Sequence, residues 1–140
     1  MKRPSTFSLL ALFFLASSAA RADGPPPVGV TTLLTTDKTV LGQPLVLPKK
    51  NPVLIVSIFE IAPGARLARH KHPFSRYAYV LEGGITVELD GGQRHSYRAG
   101  EVIVEAVDTW HFGMNEGSVP VRLLVIDQVE AGQSNTILAK

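Results

Sequence analysis

The sequence predicts an all-β fold of the sandwich or barrel class, on three observations. From Val30 onward the apolar runs are short, rich in β-branched residues and punctuated by Gly, Pro, Asn or Asp. The strand candidates recur about every ten residues, the spacing of an all-β domain. No stretch beyond the N-terminal segment repeats its apolar residues at the helical period.

The chain has 140 residues, 45% of them hydrophobic and 19% charged, which suits one domain and is too short for two typical ones. It opens with Met1-Lys2-Arg3, an apolar run from Phe7 to Ala16, and Ala20-Arg21-Ala22 before Asp23. These are the three parts of a secretory signal, so residues 1–22 are expected to be cleaved after Ala22. The run is too short to span a bilayer, which takes roughly 20 residues. Export to the periplasm is the localisation expected. The remaining 23–140 then carry eleven basic and twelve acidic residues, a net charge of −1. Nothing in that balance calls for nucleic acid or an anionic membrane. The absence of cysteine excludes disulfides, thiolate nucleophiles, zinc fingers and iron–sulfur clusters.

Three consecutive prolines keep residues 23–29 extended. The expected strands are Val53–Ile61, Tyr77–Leu81, Ile85–Leu89, Val102–Val107 and Val121–Ile126. Asp90-Gly91-Gly92 marks a hairpin after the third of them. Val53–Ile61 and Val121–Ile126 are apolar at nearly every position, so each should be covered on both faces, by the opposite sheet or by a second subunit. The domain should end near Gln133, with the last residues a tail or an edge strand.

His70-Lys71-His72 puts two imidazoles on one face of an extended segment, about 7 Å apart along the strand. His111, about 40 residues farther on and after another strand candidate, could close a three-nitrogen metal site. His95 has no partner in this pattern and reads as a surface histidine. Tyr77, Tyr79, Trp110 and Phe112 flank the histidines, where aromatic side chains shape a pocket or simply pack. Glu105 interrupts an apolar run and therefore asks for a partner: Arg76, a metal, or solvent at a strand edge.

Gly64, His70, His72, Arg76 and Gly83, followed by Gly100, His111 and Asn115, resemble in order and spacing the two motifs of the cupin superfamily. The resemblance runs over about residues 53–127. It implies a double-stranded jelly-roll β-barrel with the site near one mouth, a divalent metal (Fe, Mn, Ni or Zn) on His70, His72 and His111, and a homodimer. Cupins usually place a glutamate ligand three or four residues after the second histidine; here Arg76 and Tyr77 stand there. Three histidines remain an adequate ligand set and leave positions open. A dication beside Arg76 favours an anion, either a small-molecule carboxylate with Arg76 as a catalytic clamp or an internal acid, and an uncompensated Arg76 would work against metal binding. Two function classes follow: an iron-dependent, dioxygenase-like enzyme acting on a small anion, or a non-catalytic module that binds a metal or small ligand. Asn115 reads as a turn residue ahead of Glu116-Gly117.

Overall fold

The computed structural model describes residues 28–140, of which 31–140 form one compact unit. The proposed signal segment lies outside the described residues. Nine strands follow in order: β1 (Pro52–Ile61), β2 (His70–Lys71), β3 (Arg76–Glu82), β4 (Gly84–Leu89), β5 (Arg94–Arg98), β6 (Val102–Val104), β7 (His111–Met114), β8 (Val121–Glu130) and β9 (Ile137–Leu138). There is no helix among the described residues.

Two antiparallel sheets face each other, β1-β8-β3-β6 and β5-β4-β7-β2-β9. β1 and β8 pair over their full length, from Pro52 opposite Glu130 to Ile61 opposite Val121. β8 also pairs with β3, which places Arg76 directly across from Asp127. The inner faces alternate as the pleat requires. Ala78 and Val80 of β3, Val121, Leu123 and Val125 of β8, Ile61, Ile85 and Ile103 form the apolar core. Farther along the same inner faces the buried residues turn polar: His70, His72, Arg76, His111, Asp127 and Asn135. The barrel thus has an oily half and a charged half.

The Asp90–Gly92 turn forms as expected, with Gly91 and Gly92 at φ 96° and 83°, and joins β4 to β5. Gly83 is required more strictly. Its φ is 72°, and a Cβ there would lie 2.6 Å from the carbonyl oxygen of Pro120.

Within the single chain the opposite sheet does not cover both faces of β1, which leaves open the second of the two expected covers, another subunit. β1 is an edge strand, and on its outer face Leu54, Val56 and Ile58 are 61%, 55% and 49% exposed. Val53 and Ile55 on the other face are exposed as well. β8 is covered from both edges because it lies inside the sheet.

Candidate metal centre

His70 pairs in register with His111 across β2 and β7, and His72 follows two residues on. The three imidazole centroids lie 4.5–4.9 Å apart. Each Nδ1 is turned to a backbone carbonyl: His70 to Ala68 at 2.7 Å, His72 to Asn135 at 2.5 Å, His111 to Thr109 at 2.8 Å. A carbonyl oxygen only accepts, so each Nδ1 carries the hydrogen and donates it. Every Nε2 is thereby left as the ligand atom, held in orientation by a bond to the main chain.

Glu105, directly after β6, enters from the opposite sheet. Its Oε2 lies 3.0 Å from Nε2 of His72 and 3.0 Å from Nε2 of His111. Two imidazole lone pairs facing one carboxylate oxygen at this range repel unless a proton or a cation lies among them. The ligand atoms of His70, His72, Glu105 and His111 all fall within 4.8 Å of one another. Metal bonds of about 2.1 Å at right angles set neighbouring ligand atoms about 3.0 Å apart, so the residues fit a transition-metal ion. Three imidazoles and one carboxylate form a mixed nitrogen–oxygen donor set suited to such an ion.

Burial by itself would raise the Glu105 carboxyl, but hydrogen bonds and positive charge from His111 and His72 outweigh it and hold the group well below the usual carboxylate range. His111 shows the reciprocal effect: burial works against its charged form, yet the Glu105 hydrogen bond and charge keep it above the ordinary imidazole value. Burial keeps His70 below that value, in the neutral form a ligand needs.

Arg76 is buried on the same face, and its guanidinium is already engaged. Nε and Nη2 donate to the two carboxylate oxygens of Asp127 at 2.7 and 2.9 Å, and Nη2 also reaches Thr136. Nη1 stands 3.4 Å from Nε2 of His72. This corrects the expectation of a free cationic clamp and of a strongly positive site: the two-pronged face of the arginine is closed by Asp127, which also cancels its charge. Glu105 pairs with the histidines, not with Arg76. Asp127 and Asn135 gave no signal in the sequence. Asn135 receives the His72 Nδ1–H on its carbonyl, donates its amide to Asp127 and accepts from the Phe74 N–H. The C-terminal segment therefore builds the site, and β9 continues it as an edge strand beside β2.

Other expectations change as well. His95 is not a surface histidine: it faces inward from β5 with a buried Nε2. The flanking aromatics do not line the centre. Tyr77 and Tyr79 alternate with the inward Arg76, Ala78 and Val80, Phe112 is capped from outside by Arg66, and Trp110 lies under Arg69 and Lys71. Phe59 and Leu67 instead wall a cavity of about 20 Å³ that reaches His70, Arg76, Glu105 and His111. Asn115 is a turn residue as expected, and it is also fully buried, bridging Ile61, Val119 and Gly117.

A family model described as a cupin domain matches residues 57–127. The tetracenomycin polyketide synthase protein TcmJ of Streptomyces glaucescens is 35% identical over 66 residues, 46% of this chain and 44% of that protein. The polyketide synthase CurC of Streptomyces cyaneus matches 44% of this chain and 40% of its own length. The match thus spans less than half of these curated relatives. Among solved structures, a variant of Bacillus subtilis oxalate decarboxylase shares the fold at TM-score 0.54 and 22% identity, over 64% of this chain and 24% of that one. Another structure of that enzyme concerns its Mn(II) centres. The polyketide cyclase RemF of Streptomyces resistomycificus gives TM-score 0.53 at 23% identity, over 64% of this chain and 63% of that one.

Proposed function

This chain belongs to the cupin family, and from that premise we propose that it holds a divalent transition metal on His70, His72, His111 and Glu105 and presents the ion to a very small ligand. The observation that carries the reading is the set of three Nδ1–H bonds to the main chain, which leave three Nε2 atoms and one carboxylate oxygen turned to a common point. The donor set and the 3.0 Å spacing favour iron or manganese over tetrahedral zinc. A manganese-centred relative of the same fold supports that choice.

When bound, such an ion supplies Lewis acidity and, as iron or manganese, one-electron redox chemistry. The rest belongs to the protein. The carbonyls of Ala68, Asn135 and Thr109 orient the imidazoles, Glu105 lowers the charge of the site, and Asp127 keeps Arg76 from repelling a cation. Phe59, Leu67, Leu123 and Val125 exclude bulk water from the approach. A cavity of about 20 Å³ takes one or two waters or one diatomic molecule. Dioxygen chemistry is the activity proposed, on a small substrate that would have to approach from outside the cavity, since neither its volume nor the paired Arg76 makes a place for an anion inside. The narrow cavity favours a second reading, a metal-binding module without turnover.

Elemental analysis of the purified protein beside His111→Ala and Glu105→Gln separates these outcomes. Near-stoichiometric metal, lost in the variants, is expected; iron or manganese with O₂ uptake identifies the enzyme, and metal without uptake the binding module. No metal after anaerobic loading with Fe(II) or Mn(II) overturns both.

We further propose that residues 1–22 are an export signal, that residues 23–140 act as one domain in the periplasm, and that the outer face of β1 and β8 is covered by a second copy of the chain. Support comes from the N-terminal composition and from the exposed Leu54, Val56 and Ile58. An isolated soluble protein rarely leaves such a stripe uncovered.

A further inference from the structure

His95 contributes nothing to the centre described above, yet it is the only described residue with a buried side-chain polar atom lacking a hydrogen-bond partner, its Nε2. Buried ring nitrogens are nearly always satisfied, so an orphan needs an explanation. Strand alternation directs it: in β5, Arg94, Ser96 and Arg98 face outward while His95 and Tyr97 face the interior. There His95 and Tyr97 meet Glu105 and His111 around a second cavity, of about 10 Å³, whose other walls are apolar. Its walls share Val87, Ile103, Glu105 and His111 with the cavity that Phe59 and Leu67 line. Glu105 borders the same cavity; its Oε2 takes both histidine contacts, which leaves Oε1 to accept from another donor.

We propose that this cavity is a binding site for a single water molecule held by His95 Nε2 and Glu105 Oε1, and that His95 positions the Glu105 carboxylate through it. The volume is that of one water. The Glu105 carboxylate excludes an anion, and the aliphatic walls cannot replace the hydration of a cation. A water serves either tautomer of His95: it accepts from Nε2–H and donates to Oε1, or donates one hydrogen to each. Held this way, Oε1 is kept turned from the histidines, and Glu105 offers a metal only Oε2. His95 is thus a positioning residue that acts through one solvent molecule on a group just past the next strand of the chain, β6. The water site stands on the geometry alone; its effect on a metal rests on the reading proposed above.

The test has two arms. A high-resolution crystal structure of the metal-free chain should show a water about 3 Å from both His95 Nε2 and Glu105 Oε1, and His95→Leu should lose it. Absence of that water in the unsubstituted chain overturns the proposal whatever the metal does. Titration with Co(II) should show His95→Leu weakened about 10-fold, the effect of losing an outer partner of a ligand. Its visible Co(II) absorption should shift as Glu105 becomes free to bind through both oxygens, and His95→Gln, which keeps a polar group in reach, should restore both. Equal affinity and spectrum in His95→Leu, at unchanged melting temperature, overturn the positioning role. If the unsubstituted chain takes up no Co(II) while the water is present, the metal reading fails and the water site remains.

Discussion

Asp127→Asn should be among the most damaging conservative substitutions in the barrel. The side chain keeps its shape and loses its charge, and an amide N–H2 replaces one of two oxygens that now accept from Arg76 at 2.7 and 2.9 Å. Both partners are buried, with side chains 7% and 8% exposed, so the abandoned guanidinium has no route to bulk water. Breaking a buried pair from one side costs about 3–5 kcal/mol. Asn135, which donates to the same carboxylate, loses an acceptor as well. For a domain near 100 residues each kcal/mol lowers the melting temperature by roughly 4–8 °C, so a fall of about 12–40 °C is expected. Urea unfolding of metal-free protein at neutral pH measures the loss directly, with an unchanged slope showing that only stability moved. The double variant Arg76→Met with Asp127→Leu removes both charges and should lose much less, since no ion is left stranded. A single variant within about 1 kcal/mol of the parent, or a double variant as unstable as the single one, would refute the argument.

In metal-free protein, Glu105→Gln should have a pH-dependent cost. Glu105 is held below its ordinary value, so its contribution is present above the usual carboxylate pKa and fades as pH falls toward its folded value. His111 is held above its ordinary value, so its share is full below the usual imidazole pKa and fades as pH rises through the raised one. The gap between parent and variant in urea melts should be widest at roughly pH 5–6.5 and narrower at pH 8; a gap that grows toward pH 8 contradicts the pairing. Gly83→Ala should destabilise by at least about 2 kcal/mol, because it meets both a positive φ and the Pro120 carbonyl; thermal melts equal to the parent would show that the turn can yield. Val56→Lys should convert a dimer to a folded monomer, read by light scattering across a dilution series, and an unchanged mass would remove the outer sheet face as the interface.

The strands that the sequence made legible are those with aliphatic runs, β1, β3, β4, β6 and β8, although β6 ends at Val104, short of the expected Val107. β5 is Arg-His-Ser-Tyr-Arg, with no aliphatic residue to report its alternation, and so it passed unseen, together with the inward direction of His95. β2, β7 and β9 are two to four residues long and hold their place by pairing with distant segments rather than by local pattern. At the centre, the three histidines were legible because their spacing fits one face of extended chain. Glu105 announced itself as a charge within an apolar run, although its partner stayed open. Asp127 and Asn135 lie at the far end of the chain, and only the β3–β8 register and the fold of the C-terminal segment bring them to Arg76 and His72. For the aromatics the sequence leaves pocket and packing open, because direction reverses at every residue of a strand, and the structure selects packing.

The origin of the four candidate ligands has a mechanical consequence. His70 and His111 stand on the five-stranded sheet and His72 beside it, whereas Glu105 continues an edge strand of the four-stranded one. An ion gripped by all four is therefore a rivet between the two halves of the barrel. It ties the chain at widely separated points, which restricts the unfolded ensemble as a covalent bridge would. In a chain without cysteine, such a rivet takes the part of a disulfide while answering to metal supply instead of redox state. Loading the protein then sets its lifetime against proteases as well as its chemistry, and a chelator becomes the agent that opens it.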